Sequence, residues 1–185
     1  MKSAVVTLSS ISPMSQSAPL QSVKEDKELH EDYEKRVWSE RAHVDDDGYI
    51  FIPPMALKNC LMKVAKYLGE QIPGQGKKTW TAKFTSGVMT VAPLVTDVKV
   101  EDMDGEWLFV PSDGTPGGGK RVWKKFPFIR QWTGVIEFYI LDEVITKDVF
   151  ERHLEQAGSF IGVGRFRPER GGYYGRFKID SLEWS

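Results

Sequence analysis

Cysteine is almost missing from this 185-residue chain: Cys60 stands alone, so no intrachain disulfide can form and no cysteine-rich zinc site can be built. Histidine is nearly as scarce, and His30, His43 and His153 are the only groups whose ordinary titration falls near neutral pH. No apolar run approaches the length of a membrane span, and the start at Met1 and Lys2 leads into a short apolar stretch rather than a signal peptide. The expectation is a soluble, cytoplasmic protein with no membrane partner. Excess positive charge is missing as well: the formal net charge is −1, which by itself argues against a nucleic-acid partner.

What is present is a globular composition, 41% hydrophobic and 28% charged, in a chain long enough for one domain over residues 1–185. The charge is unevenly spread. Residues 24–47 hold ten acidic groups against five basic ones, whereas residues 114–136 hold Lys120, Arg121, Lys124, Lys125 and Arg130 with no acid. Residues 165–178 add Arg165, Arg167, Arg170, Arg176 and Lys178 against Glu169 alone. A fold that brings the two basic segments together would create the positive face of a nucleic-acid binder.

Local patterns divide the chain. Residues 2–8 are rich in β-branched side chains and predict a strand, and an acidic insertion at about 22–47 follows, helical between about 28 and 40. Residues 49–52 predict a short strand. Pro53 and Pro54 then open a helix to Leu68 that Gly69 can end, with Cys60 on its apolar spacing as a small buried hydrophobe rather than a nucleophile. A basic arm spans about 71–131, including Lys77 and Lys78, strands within 84–100 and at 106–110, and a Gly/Pro/Ser loop at 111–119. Residues 132–141 predict the clearest strand, residues 146–157 a helix with Thr146 as N-cap and Gly158 at its end, and residues 174–184 a last strand, irregular near Asp180. Without the insertions the order is βαββαβ, an α+β, ferredoxin-like or RRM-like antiparallel sheet with two helices.

Two segments carry binding chemistry. The tail loop alternates glycine (Gly162, Gly164, Gly171, Gly172, Gly175), arginine (Arg165, Arg167, Arg170, Arg176) and aromatics (Phe166, Tyr173, Tyr174). Glycine lets a phosphate backbone approach, arginine forks donate to its oxygens, and rings offer faces to bases. Residues 121–132 interleave aromatics with Arg121, Lys124, Lys125 and Arg130. A strand there would bury one set, drawn from Trp123, Phe126, Phe128 and Trp132, and present the other.

Three patches resemble the RAMP superfamily of CRISPR-associated proteins, in particular its guide-RNA-binding backbone subunits. They are residues 11–17 after the first strand, residues 52–62 with Pro54, Leu57 and Lys58 at a helix start, and the Gly-rich loop before the last strand. The tail also looks like that of small phage-encoded proteins. The resemblance implies that Lys58 and the tail loop grip a nucleic-acid backbone and that the arm is a hairpin inserted between bases. Partners would be single-stranded RNA or DNA, with effector subunits or further copies of the chain.

Catalysis is the weaker alternative. His30 and His43 lie in or beside the acidic segment, and His153 is expected on a solvated helix face. Asp26 does not stand out from its charged surroundings, and Asp45, Asp46 and Asp47 lack the spacing of a calcium loop. The expectation is therefore a non-catalytic binder of single-stranded nucleic acid, RNA before DNA, with no cofactor and no metal. Two other readings stay open: a phage protein that obstructs or imitates a CRISPR effector subunit by protein contact, and a metal- or histidine-dependent endoribonuclease.

Overall fold

The computed structural model, which describes residues 1–185, begins with β1 (Lys2–Ser10), whose alternation turns Ala4, Val6 and Leu8 inward, each fully buried. The acidic segment contains α1 (His30–Val37), with Glu31 and Asp32 in its first turn and Lys35 and Arg36 in its last, the order a helix dipole favours. A short 3-10 turn, Trp38–Arg41, follows it. Next, β2 (Tyr49–Ile52) leads into α2 (Pro54–Leu68). Pro54 sits where a missing N–H leaves no helix bond unmade, and Gly69 ends the helix in the left-handed region at φ 59°. The inner stripe of α2 carries Leu57, Cys60, Leu61, Val64 and Ala65.

The stretch from 84 to 100, expected as strand, begins instead as helix. α3 (Trp80–Gly87) buries Trp80 and Phe84, four residues apart on one face, before the two-residue β3 (Val88–Met89) and then β4 (Leu94–Lys99). These elements belong to the core, so the basic arm is shorter than the span 71–131. What protrudes is a hairpin of β5 (Asp104–Pro111) and β6 (Arg121–Phe128), paired in register from Asp104 opposite Phe128 to Pro111 opposite Arg121. Then β7 (Thr133–Ile140) alternates cleanly, with Ile136, Phe138 and Ile140 buried.

The hydroxyl oxygen of Thr146 accepts the backbone N–H of Val149 at 3.4 Å and caps α4 (Lys147–Phe160). Gly158 does not end this helix, which continues two residues further. It is glycine for packing: a Cβ there would stand 2.1 Å from the carbonyl oxygen of Phe177, in the strand beneath. That strand is β8 (Phe177–Trp184). Thr7 pairs with Ser181 and Leu8 with Ile179, so Asp180 is the extra residue of a bulge, at the irregularity the sequence predicts.

The main sheet runs β2-β4-β7-β1-β8 with every pair antiparallel, and β3 adds to the end of β7. Taken without β2 and β3, the order β4-β7-β1-β8 joined through α2 and α4 is the ferredoxin-like βαββαβ arrangement, α+β as expected. The helices cover one face of the sheet and leave the other open, and no helix is long and apolar enough to cross a membrane. His153 is fully buried, not on a solvated face: its ring stacks on Phe84 with centroids 4.4 Å apart. Its neighbour α3 covers it, and α3 was the element that sequence patterning missed.

Candidate nucleic-acid interface

Local physics folds the tail loop back onto the chain. Gly164 has φ +77°, and a Cβ on it would lie 2.2 Å from the carbonyl oxygen of Ser15; Gly175 has φ +75°, and its Cβ would lie 1.8 Å from that of Val163. The sides left bare by Gly164, Gly175, Gly172 and Gly162 are thus occupied by the protein's own backbone or, for Gly162, the Pro168 ring, whereas Gly171 faces open space. The expected role of these glycines, close approach of a ligand, gives way to close approach of the loop to itself and, at Gly164, to Ser15. Arg165 N donates to Ser15 O (2.9 Å), Gly175 N to Pro13 O (2.8 Å) and Ser12 Oγ to Tyr173 O (2.6 Å). Two of the three resemblance patches are therefore one structure.

The third patch, the start of α2, lies beside them, and three depressions run on from one another across the junction. The first, about 160 Å³, lies between α2 and the loop and has Lys63 and Arg167 in its wall. The second, about 340 Å³, shares Ala56, Gly164 and Arg167 with the first and adds Gln16, Ser17, His43 and Arg165. The third, about 520 Å³, shares Ser17 and Arg165 with the second and reaches the hairpin through Arg121, Lys124 and Phe126. No aspartate or glutamate lines any of the three.

Arg165 stands at the centre. Its guanidinium lies 3.7 Å from the ring centroid of Phe126 and 4.2 Å from that of Phe166, and it forms no salt bridge. Burial lowers its pKa to about 10, offset in part by the Glu106 carboxylate. A cation held this way between rings, with no acid bound to it, is disposed to take an anion. Phe166 reaches its position from φ 53°, a left-handed conformation rare for a bulky residue. His43 lines the same groove, and burial lowers its pKa, so its uncharged form is favoured there.

The expected site residues separate into groups. Arg121, Lys124, Arg165 and Arg167 line the groove, although Glu169 pairs with Arg167 (2.8 Å) and with Lys63 (2.8 Å). Lys120, Arg170 and Tyr173 are exposed around it. Lys125 packs against the 3-10 turn with its amine 4.3 Å from the Trp38 ring, and Arg130 pairs with Asp104 at 2.6 Å. Lys77 and Lys78 follow the far end of α2, a helix roughly 20 Å long at 1.5 Å per residue, and lie away from the groove.

Two expected ligands of RNA prove to be buried, and a third is half-buried and tied to the chain. Lys58 is buried, its amine donating to the carbonyls of Phe84 (2.7 Å), Thr85 (2.9 Å) and Val88; it caps α3, whose last carbonyls lack helical partners. Burial lowers its pKa. Tyr174 is buried, with its hydroxyl donating to Glu106 at 3.0 Å; burial first, then that carboxylate, raise its pKa to about 12. Arg176 donates through Nε to Ser159 O (3.2 Å) at the end of α4.

Arg41 and Lys63 were not anticipated. Lys63 was within reach of sequence reasoning, because Ala56, Asn59, Cys60 and Lys63 follow i, i+3, i+4, i+7 spacing on the helix side that meets the loop. Arg41 carried no such signal. It makes a two-pronged pair with Glu34 (2.8 and 3.0 Å), both side chains buried, while Glu34 also accepts Lys125 N (3.0 Å) and Arg41 donates to Lys125 O (2.9 Å). Through Glu34 and Arg41 the acidic insertion thus clamps β6, while Glu25, Glu31 and Asp32 stay exposed on its surface. Asp45 likewise works locally, its carboxylate accepting Asp47 N and Tyr49 N around a turn.

No family model and no curated protein matches the sequence. Among solved structures, the chain is similar to one in the cryo-EM structure of the Type III-B Cmr-beta bound to cognate target RNA, with a TM-score of 0.51 and 12% identity over 99% of this chain, which spans 60% of that one. It is also similar to Cmr6 from Pyrococcus furiosus, with a TM-score of 0.52 and 12% identity over 97% of this chain and 99% of that one. What the chain shares with these Cmr subunits of RAMP type is the fold, the one that the three sequence patches imply.

Proposed function

We propose that this chain binds single-stranded RNA, without cleaving it, along the groove from the start of α2 to the hairpin, in the manner of a subunit of a CRISPR RAMP complex or a viral relative of one. The carrying observation is the continuous wall of Lys63, Arg167, Arg165, Arg121 and Lys124, of which only Lys63 and Arg167 carry a carboxylate partner, the shared Glu169, in a protein of net charge −1. Charge sorted so strongly onto one surface suits a phosphate backbone. The similar fold seen in an assembly captured with target RNA supports the choice of RNA over DNA. His43 is the one histidine in the groove, and no carboxylate lines it to serve as a partner base, so the arrangement favours holding over cutting.

Fluorescence anisotropy with a labelled RNA strand, repeated across salt concentrations, tests this. Affinity should fall steeply with salt, and the triple variant Arg121→Ala, Lys124→Ala, Arg165→Ala should lower the slope of log K against log salt by about 2, from about 0.7 per phosphate contact on a single strand. A triple variant that binds as tightly as the parent at low salt overturns the proposal. Cleavage products formed by the purified protein, with or without EDTA, overturn its non-catalytic part.

A second reading, docking onto a protein, draws on the outer face of the hairpin. There Trp123 is 54% exposed and Phe109 47% exposed, side by side across the strands. Exposed tryptophan is common at interface hot spots. Purification with a protein partner and no RNA, lost on Trp123→Ala, would favour this reading.

A further inference from the structure

The third depression differs from the rest of the groove. At about 520 Å³ it falls in the size range of small-ligand sites, and it is closed on one side by the tail loop and on the other by the hairpin. Its wall combines apolar surface from Phe166, Phe126 and Pro116 with the cations Arg121, Lys124 and Arg165. Those cations are met only by neutral groups: Arg121 donates to Phe109 O, Lys124 to Ser112 O at 2.9 Å, and Arg165 lies between two rings. Phe166 is held in a left-handed backbone conformation and still leaves 48% of its surface exposed. A solvated turn has no need of a strained backbone that holds an aromatic ring toward an arginine-lined hollow.

We infer that this pocket takes a single nucleotide, its base against the exposed part of the Phe166 ring and its phosphate on Lys124 and Arg165, with Arg121 at the rim. The inference rests on the RNA reading above and gives it a location where one base is withdrawn from its neighbours. An apolar ring beside cations that bind no carboxylate directly matches one nucleotide, because a base is flat and apolar on its faces while its phosphate is anionic. A phosphate backbone alone would leave the apolar half unused, and an apolar ligand would leave the cations unanswered. The nucleotide belongs either to the bound strand or to a free mononucleotide; both offer the same chemistry.

The test substitutes 2-aminopurine at each position of a short RNA in turn, and uses free 2-aminopurine ribonucleoside monophosphate in a parallel titration. With the parent protein, one position should change fluorescence on binding far more than the others, and Phe166→Ala should abolish that change and weaken RNA binding by about 5- to 150-fold. Arg167→Ala, outside the pocket, should weaken RNA binding while keeping the fluorescence change. A saturable response to the free nucleotide, lost in Phe166→Ala, assigns the site to a mononucleotide, and a response from the strand alone assigns it to the strand. If RNA binds with the expected salt dependence but no position responds to Phe166→Ala and the free nucleotide is silent, the pocket inference falls and the RNA reading stands. If neither RNA nor nucleotide binds, both fall.

Discussion

The open face of the main sheet and the groove beside the tail loop are both left uncovered by the helices, yet their chemistry is opposed. Across the open sheet, Val5 stands between Glu137 and Glu183, Thr7 between Val135 and Ser181, and Ser9 between Thr133 and Lys178. These are small or β-branched side chains with carboxylates among them, the composition of a solvated antiparallel sheet. The groove has arginine and lysine walls, rings and no carboxylate in its lining. The RRM-like topology would suggest binding on the sheet, but the side chains put the positive surface at the strand ends. Topology and ligand site are thus separate questions, as they are across shared folds generally.

The comparison breaks hardest where the groove's far wall is attached. Glu34 and Arg41 are both buried and hold β6 through Lys125, so Arg41→Ala leaves a buried carboxylate unpaired and is expected to cost about 3–5 kcal/mol. Chemical denaturation measures that loss. Because the clamp positions the hairpin, RNA affinity should fall with it, even though Glu34 already neutralises Arg41. Replacing Thr7 on the open sheet by serine should leave both stability and binding almost unchanged. Equal losses from the two variants would mean that the clamp has no special role.

A single change at the centre of the groove comes next. Arg165→Lys keeps the charge but loses the planar fork that lies between Phe126 and Phe166, and the two cations are not interchangeable at a stacked site. It should weaken RNA binding by about 1.5–3 kcal/mol, the range for a hydrogen bond to a charged group, with little change in melting temperature. Lys58 supplies the contrast. Its amine answers three carbonyls, so Lys58→Met should destabilise the fold rather than act on RNA directly.

Those two cations also show how far the sequence could be read. The order of strands and helices was legible because alternation in 132–141 and helical spacing in 54–68 are local signals. Even the bulge at Asp180 announced itself. The position of Arg165 among aromatics was legible in outline, since glycine, arginine and aromatic residues are adjacent in the chain. The fate of Lys58 was not, because its partners lie 26 to 30 residues away, at Phe84 and Thr85 on α3 and at Val88 on β3. Nor was the use of Gly164, whose neighbour is Ser15. Signals carried by neighbours in sequence could be read; those set by distant packing could not.

Proton linkage gives a subtler separation. His43 lines the groove, and the open sheet carries no histidine on its paired rows. Burial holds its pKa below the ordinary value of 6.5, so the free protein favours the neutral ring. A bound phosphate would favour the imidazolium and raise that pKa, so binding takes up a proton. Affinity should therefore rise as pH falls from about 7.5 through the pKa of the complex and level off below that of the free protein, by up to about tenfold for each unit of rise. Dissociation constants for an end-dephosphorylated RNA at a series of pH values should show this, and His43→Ala should remove it. A pH-independent parent would place the phosphates away from His43.

The smallest expected effect is the sharpest test of whether charge alone makes a site. Glu137→Lys and Glu183→Lys together add four units of positive charge to the open sheet, on either side of Val5. Both side chains stand at the surface, where attraction is screened within about 8 Å at physiological salt and flexible lysines hold no fixed geometry. The groove instead fixes Arg165 between rings and withdraws it from water. If enclosure and geometry matter as argued, the double variant should change RNA affinity at physiological salt by less than about 0.5 kcal/mol, the scale of an ordinary surface substitution. Its gain at low salt should be equally large in the background of Arg165→Ala, because the new charges would act independently of the groove. A variant that regains full affinity in that background would show that any positive face of this fold suffices, and the distinction between groove and sheet would then be one of net charge only.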